Sequence, residues 1–97
     1  IYKLSRNAML ATKVVFANYL YDACKYAECD FETVIDTFKS ENEFGSSHWD
    51  VPGPDGERGF GGKCLPKDTS HFAHVMSKHF SPPNFLNFVL KDNELTR

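Results

Sequence analysis

The sequence predicts an all-α domain of four helices, with one long N-terminal helix and a long loop rich in glycine and proline. Apolar residues recur at helical spacing in four segments. All six glycines and three of the five prolines lie between residues 41 and 66. No segment alternates apolar and polar residues over a length that would build a sheet, although a short extended piece fits residues 59–64. The 97 residues are enough for one domain.

The long helix is predicted over residues 1 to about 27, because neither Gly nor Pro interrupts this segment. Two apolar rows follow helical spacing, one through Leu4, Ala8, Ala11, Val15, Tyr19 and Ala23, and the other through Leu10, Val14, Ala17, Leu20 and Cys24. A helix that is apolar on more than one face is buried on more than one side. Together with an aromatic fraction of 14 %, this pattern favours a partner subunit or domain.

A second helix is predicted after Asp30, whose carboxylate can accept hydrogen bonds from the unpaired N–H groups of a first helical turn. Its apolar residues fall at helical spacing on one face, and they are Phe31, Val34, Ile35 and Phe38. The helix is expected to end near Ser40.

Two further helices are predicted after the loop. The third begins near residues 66–68, where Pro66 is typical of a first turn, and it ends at about His79. Its apolar face is formed by Phe72, Val75 and Met76. The fourth is predicted to begin at residues 81–83, with Phe85, Leu86, Val89 and Leu90 directed inward.

Composition and charge exclude several classes of protein. The formal net charge is −2 and no basic stripe is visible, which argues against nucleic acid as the main ligand. No apolar run approaches the ~20 residues of a membrane span, and no secretory signal is visible. The three cysteines have no disulfide-framework spacing, so reduced thiols in a cytoplasmic protein are expected. The chain begins with Ile1 inside a helical pattern, which suggests a piece of a longer protein.

Cys64 is the strongest candidate for chemistry. It follows a glycine-rich stretch, which lets a ligand approach the main chain, and it precedes a predicted helix. A thiol at a helix N-terminus lies near unpaired N–H groups, and Lys63 and Lys67 add positive charge. These features favour a nucleophile. The alternative is a buried structural cysteine, which is the more common role of a single Cys.

Other patterns are weaker. Gly59-Phe60-Gly61-Gly62 is not a dinucleotide fingerprint, because Cys64 stands where the third Gly is required and no strand precedes it. Lys3 and Asn7 lie four residues apart on one helix face, and could also be an ordinary solvated pair. His71 and His74 lack the paired spacing of a metal site, so no metal is expected. A Cys–His hydrolase would need an orienting third group that no segment supplies.

These residues together resemble a known family. Residues 51–68, which contain Gly59-Phe60-Gly61-Gly62, Cys64 and Pro66-Lys67-Asp68, look like the active-site signature of the UDP-glucose/GDP-mannose dehydrogenase family. Residues 3–11 resemble the family's Lys-x-x-x-Asn segment, which opens the long central helix. Residues 92–97 resemble the segment that ends the central domain. The resemblance therefore spans nearly the whole chain in the correct order.

The resemblance implies a helical domain like the C-terminal-like helical domain of 6-phosphogluconate dehydrogenase. Residues 1–97 would be the central helical dimerisation domain of a larger nucleotide-sugar dehydrogenase, without its Rossmann and C-terminal nucleotide-binding domains. Such enzymes oxidise the C6 hydroxymethyl of a sugar nucleotide to a carboxylate, with NAD as oxidant and a cysteine thiohemiacetal and thioester as intermediates. The implied protein is a cytoplasmic homodimer, paired through the long helix, that converts UDP-glucose to UDP-glucuronate for polysaccharide biosynthesis.

The resemblance also implies roles for individual residues. Cys64 would be the nucleophile, and Lys3 would stabilise negative charge on the C6 oxygen. Asn7 would hold that oxygen or a water molecule, and Asp68 would orient water and pair with Lys3. The loop would bind the sugar through Phe60 and Gly61, and Lys67 would lie near the NAD of the missing domain.

One segment departs from the family pattern. Many relatives have Arg-Ile-Gly ahead of the glycine-rich stretch, where the Arg reaches the sugar nucleotide of the partner subunit. The corresponding residues here are Glu43-Phe44-Gly45, and an acid cannot repeat that contact with an anionic ligand. Arg58 is the candidate substrate-binding residue that could compensate.

Two alternatives follow from this departure and from the length of the chain. The substrate could be GDP-mannose or a UDP-N-acetyl-hexosamine in place of UDP-glucose. The chain could also be a free-standing, non-catalytic helical dimerisation module. In either case the isolated 97 residues are expected to be inactive, because they lack a cofactor domain.

Overall fold

The computed structural model describes residues 1–80 and 85–97. It contains four α-helices, which are α1 (Tyr2–Ala27), α2 (Phe31–Ser40), α3 (Cys64–His79) and α4 (Phe85–Thr96). Within the described ranges there is no strand, and residues 59–63 form bends and irregular backbone. The prediction of an all-α fold is therefore confirmed.

The long helix α1 organises the fold, because α2, α3 and α4 all pack against it. Its 26 residues span about 39 Å. The helix ends where Glu28 adopts a left-handed conformation with φ of 57°, and the Cys29 N–H then donates to the Cys24 carbonyl at 3.0 Å. This pattern closes the last turn and satisfies a carbonyl that would otherwise lack a partner. The predicted end near residue 27 is confirmed.

Helix α2 begins as its sequence predicts. Asp30 is the N-cap residue, and its carboxylate accepts from the Thr33 backbone N–H at 3.2 Å and from the Thr33 hydroxyl at 2.7 Å. Phe31 and Ile35 are buried, with Ile35 fully inaccessible to solvent. The predicted apolar face and the predicted end at Ser40 are confirmed.

The main apolar core lies between the C-terminal half of α1, helix α2 and the first part of the long loop. Its buried members are Ala17, Cys24, Phe31, Ile35, Trp49 and Val51. The Trp49 indole N–H donates to the Gly45 carbonyl at 2.9 Å, and its ring lies 5.2 Å from that of Phe38. The loop over residues 41–63 is thus anchored on the helices by aromatic packing.

Helix α3 begins earlier than the sequence suggests. It starts at Cys64 rather than near residues 66–68, so Pro66 occupies its third position. The first N–H groups of any α-helix lack an intrahelical partner, and a proline there costs no hydrogen bond. Pro66 is therefore compatible with the first turn without marking its beginning, and Cys64 belongs to the helix itself.

The predicted inward-facing residues of helix α4 are confirmed in part. Val89 is buried, and Leu86 and Leu90 are half-buried against the rest of the domain. Phe85 was expected to point inward, but it is 60 % exposed, which corrects that expectation. It lies at the first turn of the described helix, at the rim of an apolar pocket shared with α1 and α3. The predicted start over residues 81–83 lies outside the described residues.

Across residues 1–80 and 85–97, every helix lacks the combination of length and apolar character that a membrane crossing requires.

Candidate active site

A buried polar contact joins α1 to α3. The Asn7 side-chain amide donates to the Asp68 carboxylate, with 2.7 Å between Nδ2 and Oδ2. Asn7 is 8 % exposed and Asp68 is 3 % exposed. The side-chain oxygen of Asn7 accepts from the Arg6 guanidinium at 3.4 Å, which helps to orient the Asn7 side chain. Buried polar groups of this kind need such partners, because an unpaired one carries a large desolvation cost.

Asp68 is held as a carboxylate. The hydrogen bond from Asn7 lowers the pKa of Asp68, and burial opposes this effect. The positive charges of Lys67 and Lys3 lower the pKa further. The ion pair that the structure shows is with Lys67, at 3.6 Å from Nζ to Oδ1, whereas Lys3 is exposed and acts through its charge. The pairing expected for Lys3 is thus supplied mainly by Asn7 and Lys67.

Cys64 is the first residue of α3, and its thiol is free and exposed. It precedes Asp68 by four residues, so the two side chains lie one turn apart on the same side of the helix. The N–H groups of the first turn lie beside Cys64 and have no intrahelical acceptor. Cys64 therefore lies at the positive end of the α3 dipole, one turn before the residue that Asn7 contacts. Cys24 and Cys29 are also free.

A cleft of about 480 Å³ opens beside the start of α3, where Leu65 lines it and its chain neighbour Cys64 does not. Its wall includes Phe60, Gly61 and Gly62 on one side of Cys64 and Leu65 on the other. The remaining lining residues come from α1 and the loop, and they are Val14, Ser46, Ser47, His48, Asp50, Gly53, Pro54, Asp55 and Gly59. The structure thus brings Phe60 and Gly61, both predicted from the sequence, into one cavity at the start of α3.

Positive charge gathers near this cleft. Burial lowers the pKa of His48, and the charges of Lys13 and Arg6 lower it further. Lys13 donates to the Phe44 carbonyl at 2.9 Å and lies 4.9 Å from the centre of the Trp49 ring. The two carboxylates in the wall are already paired, Asp50 with Lys39 and Asp55 with Arg97.

Arg58 does not lie in this cleft. Its guanidinium donates to the Asn18 side-chain oxygen and to the Asn18 carbonyl, both at 3.0 Å, and pairs with Asp22 at 2.9 Å. It also covers the ring of Tyr21. Arg58 instead lines a separate depression of about 300 Å³ between α1 and α4. Its contacts within the chain account for the Nε and Nη2 donors of the guanidinium.

The sequence-based reasoning did not single out two polar residues that organise the loop. Asn93 and Arg97, both at the end of the chain, contact the segment between residues 55 and 60. They were noted only as part of a resemblance. The sequence did contain a signal for Asn18, the partner of Arg58. Asn18 follows Asn7 by eleven positions, which places both residues on one face of α1.

The histidines of α3 do not form a metal centre with Cys64. His71 and His74 are both exposed. In residues 1–80 and 85–97, no group of three or more His, Cys, Asp and Glu side chains is arranged to hold a metal ion.

The four-helix fold is consistent with the helical central domain of a dehydrogenase family. The model of the UDP-glucose/GDP-mannose dehydrogenase family, central domain, matches residues 1–95. This chain is therefore a member of the UDP-glucose/GDP-mannose dehydrogenase family, as its motifs indicated.

Curated relatives agree with this assignment. The chain is 30 % identical over 95 residues to UDP-glucose 6-dehydrogenase TuaD of Bacillus subtilis (strain 168), covering 98 % of this chain and 20 % of the relative. It is 29 % identical over 92 residues to UDP-glucose 6-dehydrogenase of Rickettsia felis, covering 95 % of this chain and 19 % of the relative. The chain thus spans about a fifth of the length of these relatives. No solved structure gave a significant match.

Proposed function

We propose that this chain is the central domain of an NAD-dependent UDP-glucose 6-dehydrogenase that oxidises the C6 hydroxymethyl of UDP-glucose to the carboxylate of UDP-glucuronate. The family match and the names of the curated relatives support the reaction class. The observation that carries the proposal is the placement of an exposed thiol, Cys64, one helical turn from a buried carboxylate, Asp68, that is fixed by Asn7.

In the proposed reaction Cys64 acts on the aldehyde stage of the oxidation. Its sulfur bonds to C6 of the aldehyde, and the carbonyl oxygen takes up a proton, which gives a thiohemiacetal. Loss of hydride from C6 and of the proton from its hydroxyl converts this adduct to a thioester. Water then adds to the thioester carbon and displaces the sulfur, which takes up a proton, so that the carboxylate and the free thiol are released. Covalent capture of this kind divides a difficult oxidation into easier steps. NAD, when bound, accepts the hydrides.

The contact between α1 and α3 supplies the polar groups around C6. Lys3, at the exposed edge of this contact, would stabilise negative charge on the C6 oxygen. Asn7 would position Asp68 and share its hydrogen-bonding network with that oxygen or with water. Asp68, kept ionised by Asn7 and Lys67, would orient the attacking water as a base.

The cleft beside the start of α3 has the features expected of a sugar-nucleotide site. Phe60 and Gly61 provide a wall on which the sugar can lie close to the main chain. The charges of Lys13 and Arg6 near His48 favour an anionic ligand. They also offer an explanation for the acceptance of Glu43 where many relatives have Arg, because the charges of cations near His48, which lines the cleft, can complement a diphosphate.

The described residues supply little of a nicotinamide site. The glycine-rich stretch before Cys64 is irregular backbone that follows no strand, unlike a dinucleotide fingerprint. Lys67, whose side chain is 64 % exposed, is the residue proposed to approach NAD from this domain. The Rossmann and C-terminal nucleotide-binding domains of the family would provide the remaining contacts.

The decisive experiment replaces Cys64 with Ala in the full-length dehydrogenase and measures acid formation from UDP-glucose and NAD. Acid formation should be abolished, while Cys29→Ala, the matched change at another exposed thiol, should leave it intact. GDP-mannose and UDP-N-acetylglucosamine assayed in parallel would identify a different sugar nucleotide. Continued acid formation by Cys64→Ala would show that Cys64 is not the nucleophile. Absence of any dehydrogenase activity in the full-length protein would favour the non-catalytic dimerisation module.

We further propose that the protein is a homodimer paired through α1. Large side chains on α1 recur at seven-residue steps, as Tyr2, Met9 and Phe16, and as Tyr19 and Tyr26. These five residues are 46–92 % exposed and carry no charge. An uncharged stripe with this period on a long helix suits packing against a second helix, and a two-fold axis would pair identical stripes.

Sedimentation of the wild-type chain at tens of micromolar should therefore show a dimer. Tyr19→Glu should shift the population toward monomer, because it places a charge at the centre of the stripe. Thr37→Glu, on the exposed side of α2, is the control and should leave the dimer unchanged. A monomeric wild-type chain would refute the proposal.

A further inference from the structure

Helix α4 holds the glycine-rich segment through one side chain. The Asn93 oxygen accepts from the Phe60 backbone N–H at 2.6 Å, and the Asn93 amide nitrogen donates to the Phe60 carbonyl at 2.9 Å. Both main-chain polar groups of one residue are thus satisfied by one side chain, 33 positions away in the sequence. Phe60 itself is only 4 % exposed. A two-point contact of this kind fixes both the position and the orientation of the peptide units on either side of Phe60.

The contact depends on the absence of a side chain at Gly59. Its φ of +75° lies in the left-handed region, and a Cβ added there would collide with the Asn93 oxygen. Gly59 therefore allows the close approach of α4 to the loop as well as the turn of the backbone.

A second residue of the same helix end reinforces this attachment. Arg97 pairs with Asp55 at 2.9 Å and with Glu57 at 3.1 Å, on the other side of Gly59. The hydrogen bond from Arg97 lowers the pKa of Asp55, and the hydrogen bond from the Glu57 backbone N–H lowers it further. Because the ion pairs are partly exposed, we expect them to contribute less than the Asn93 contact.

We infer that Asn93 is a positioning residue of the sugar-nucleotide site, which acts by fixing the Phe60 main chain and with it the cleft wall that immediately precedes Lys63 and Cys64 in the chain. Phe60, Gly61 and Gly62 form that wall, and only Lys63 separates them from the thiol. Asn93 itself lines no part of the cleft, so it acts through the backbone of Phe60. The inference rests on the proposed function, because the proposed function identifies the ligand of the cleft as a sugar nucleotide.

The structural part is tested by hydrogen–deuterium exchange on the chain with Asn93→Ala. Exchange should rise in the peptide that contains Phe60 and the residues up to Cys64, because the Phe60 N–H loses its acceptor. The matched control is Asn87→Ala, on the same helix, where the lost contact is with Ser77 of α3 at 2.9 Å. The control should leave this peptide unchanged, and peptides of α2 should be unchanged in both variants.

The functional part is tested by the kinetics of the full-length dehydrogenase. Asn93→Ala should raise the KM for UDP-glucose about tenfold, the size expected for one or two lost hydrogen bonds, with a much smaller change in kcat. Asn87→Ala should have little effect on either constant. If Asn93→Ala does not fold, Asn93→Asp serves instead. It is nearly isosteric and keeps an acceptor for the Phe60 N–H, but it sets a carboxylate oxygen against the Phe60 carbonyl, so KM should again rise.

Unchanged exchange around Phe60 in Asn93→Ala, or an equal rise in KM for Asn87→Ala, would overturn the inference. Exchange does not depend on catalysis, so failure of the proposed function would appear separately, as normal acid formation by Cys64→Ala or as no dehydrogenase activity at all.

Discussion

The two halves of α1 differ in what they bury. The N-terminal half buries a polar residue, Asn7, beside Ala8 and Ala11, and Asn7 contacts Asp68 of α3, the helix that Cys64 begins. The C-terminal half contacts α2 and the loop through apolar residues and the aromatic ring of Trp49. One helix thus carries the candidate chemistry at one end and the main apolar core at the other.

The difference indicates how the domain can hold a reactive site and remain folded. Buried polar contacts contribute little net stability, because their formation replaces hydrogen bonds to water. Apolar burial contributes more, at about 25 cal/mol per Å² of area removed from water. We therefore expect changes in the apolar half to affect folding and changes in the polar half to affect mainly chemistry and pH dependence.

The largest effect on stability is expected from Ile35→Ala. Ile35 is fully buried in the apolar half, so truncation should lower the free energy of unfolding by about 3 kcal/mol through lost burial and a cavity. Urea unfolding followed by circular dichroism measures the change. Thr37→Ala, an exposed substitution on the same helix, is the control. A loss under about 1 kcal/mol for Ile35→Ala would break the comparison, since it lies below the usual range.

A smaller effect, measured as a change in the pH dependence of stability, is expected from Asp68→Asn. The pKa of Asp68 is lowered in the folded chain, chiefly by Asn7, so ionised Asp68 stabilises the fold above its unfolded pKa of about 3.9. This stabilisation is lost as the pH falls through the lower, folded pKa. Urea midpoints measured from neutral pH down through that range should therefore fall less steeply for Asp68→Asn than for wild type. Identical slopes would show that the ionisation of Asp68 does not contribute to the pH dependence of stability.

The smallest effect is expected from Thr69→Val, beside the polar pair. Thr69 is fully buried, and its hydroxyl has no hydrogen-bond partner among the described residues. Replacing it with a methyl group of similar size removes an unsatisfied polar atom, so the free energy of unfolding should rise by about 1 kcal/mol. Urea unfolding at neutral pH would detect this gain. A loss of stability would mean that the hydroxyl is satisfied in solution.

The helix ends that depend on local chemistry were predictable from the sequence. Asp30 caps α2 through a residue three positions away, and α1 ends where its apolar pattern ends. The start of α3 was less predictable, because Pro66 is acceptable at any of the first positions of a helix. Phe85 is as apolar as a core residue, but within the described chain its neighbours leave it 60 % exposed.

The candidate site residues came from the sequence and their roles stay predictions, whereas the contacts among them came from the structure. Lys3, Asn7, Cys64 and Asp68 followed from the resemblance, and the structure joins Asn7 directly to Asp68. The contacts of Arg58 with Asn18 and of Asn93 with Phe60 were not predicted, because each joins residues more than 30 positions apart. No local pattern encodes such pairings, which depend on how α1 and α4 pack around the loop.

The most direct test of the central claim is mass spectrometry of the full-length dehydrogenase carrying Asp68→Asn, mixed with UDP-glucose and NAD. If Asp68 orients the water that cleaves the thioester, this variant should accumulate a covalent sugar-nucleotide adduct on the peptide that contains Cys64. Peptides that contain Cys24 or Cys29 should carry none. An adduct on either of those cysteines, or normal turnover with no adduct on Cys64, would contradict the account.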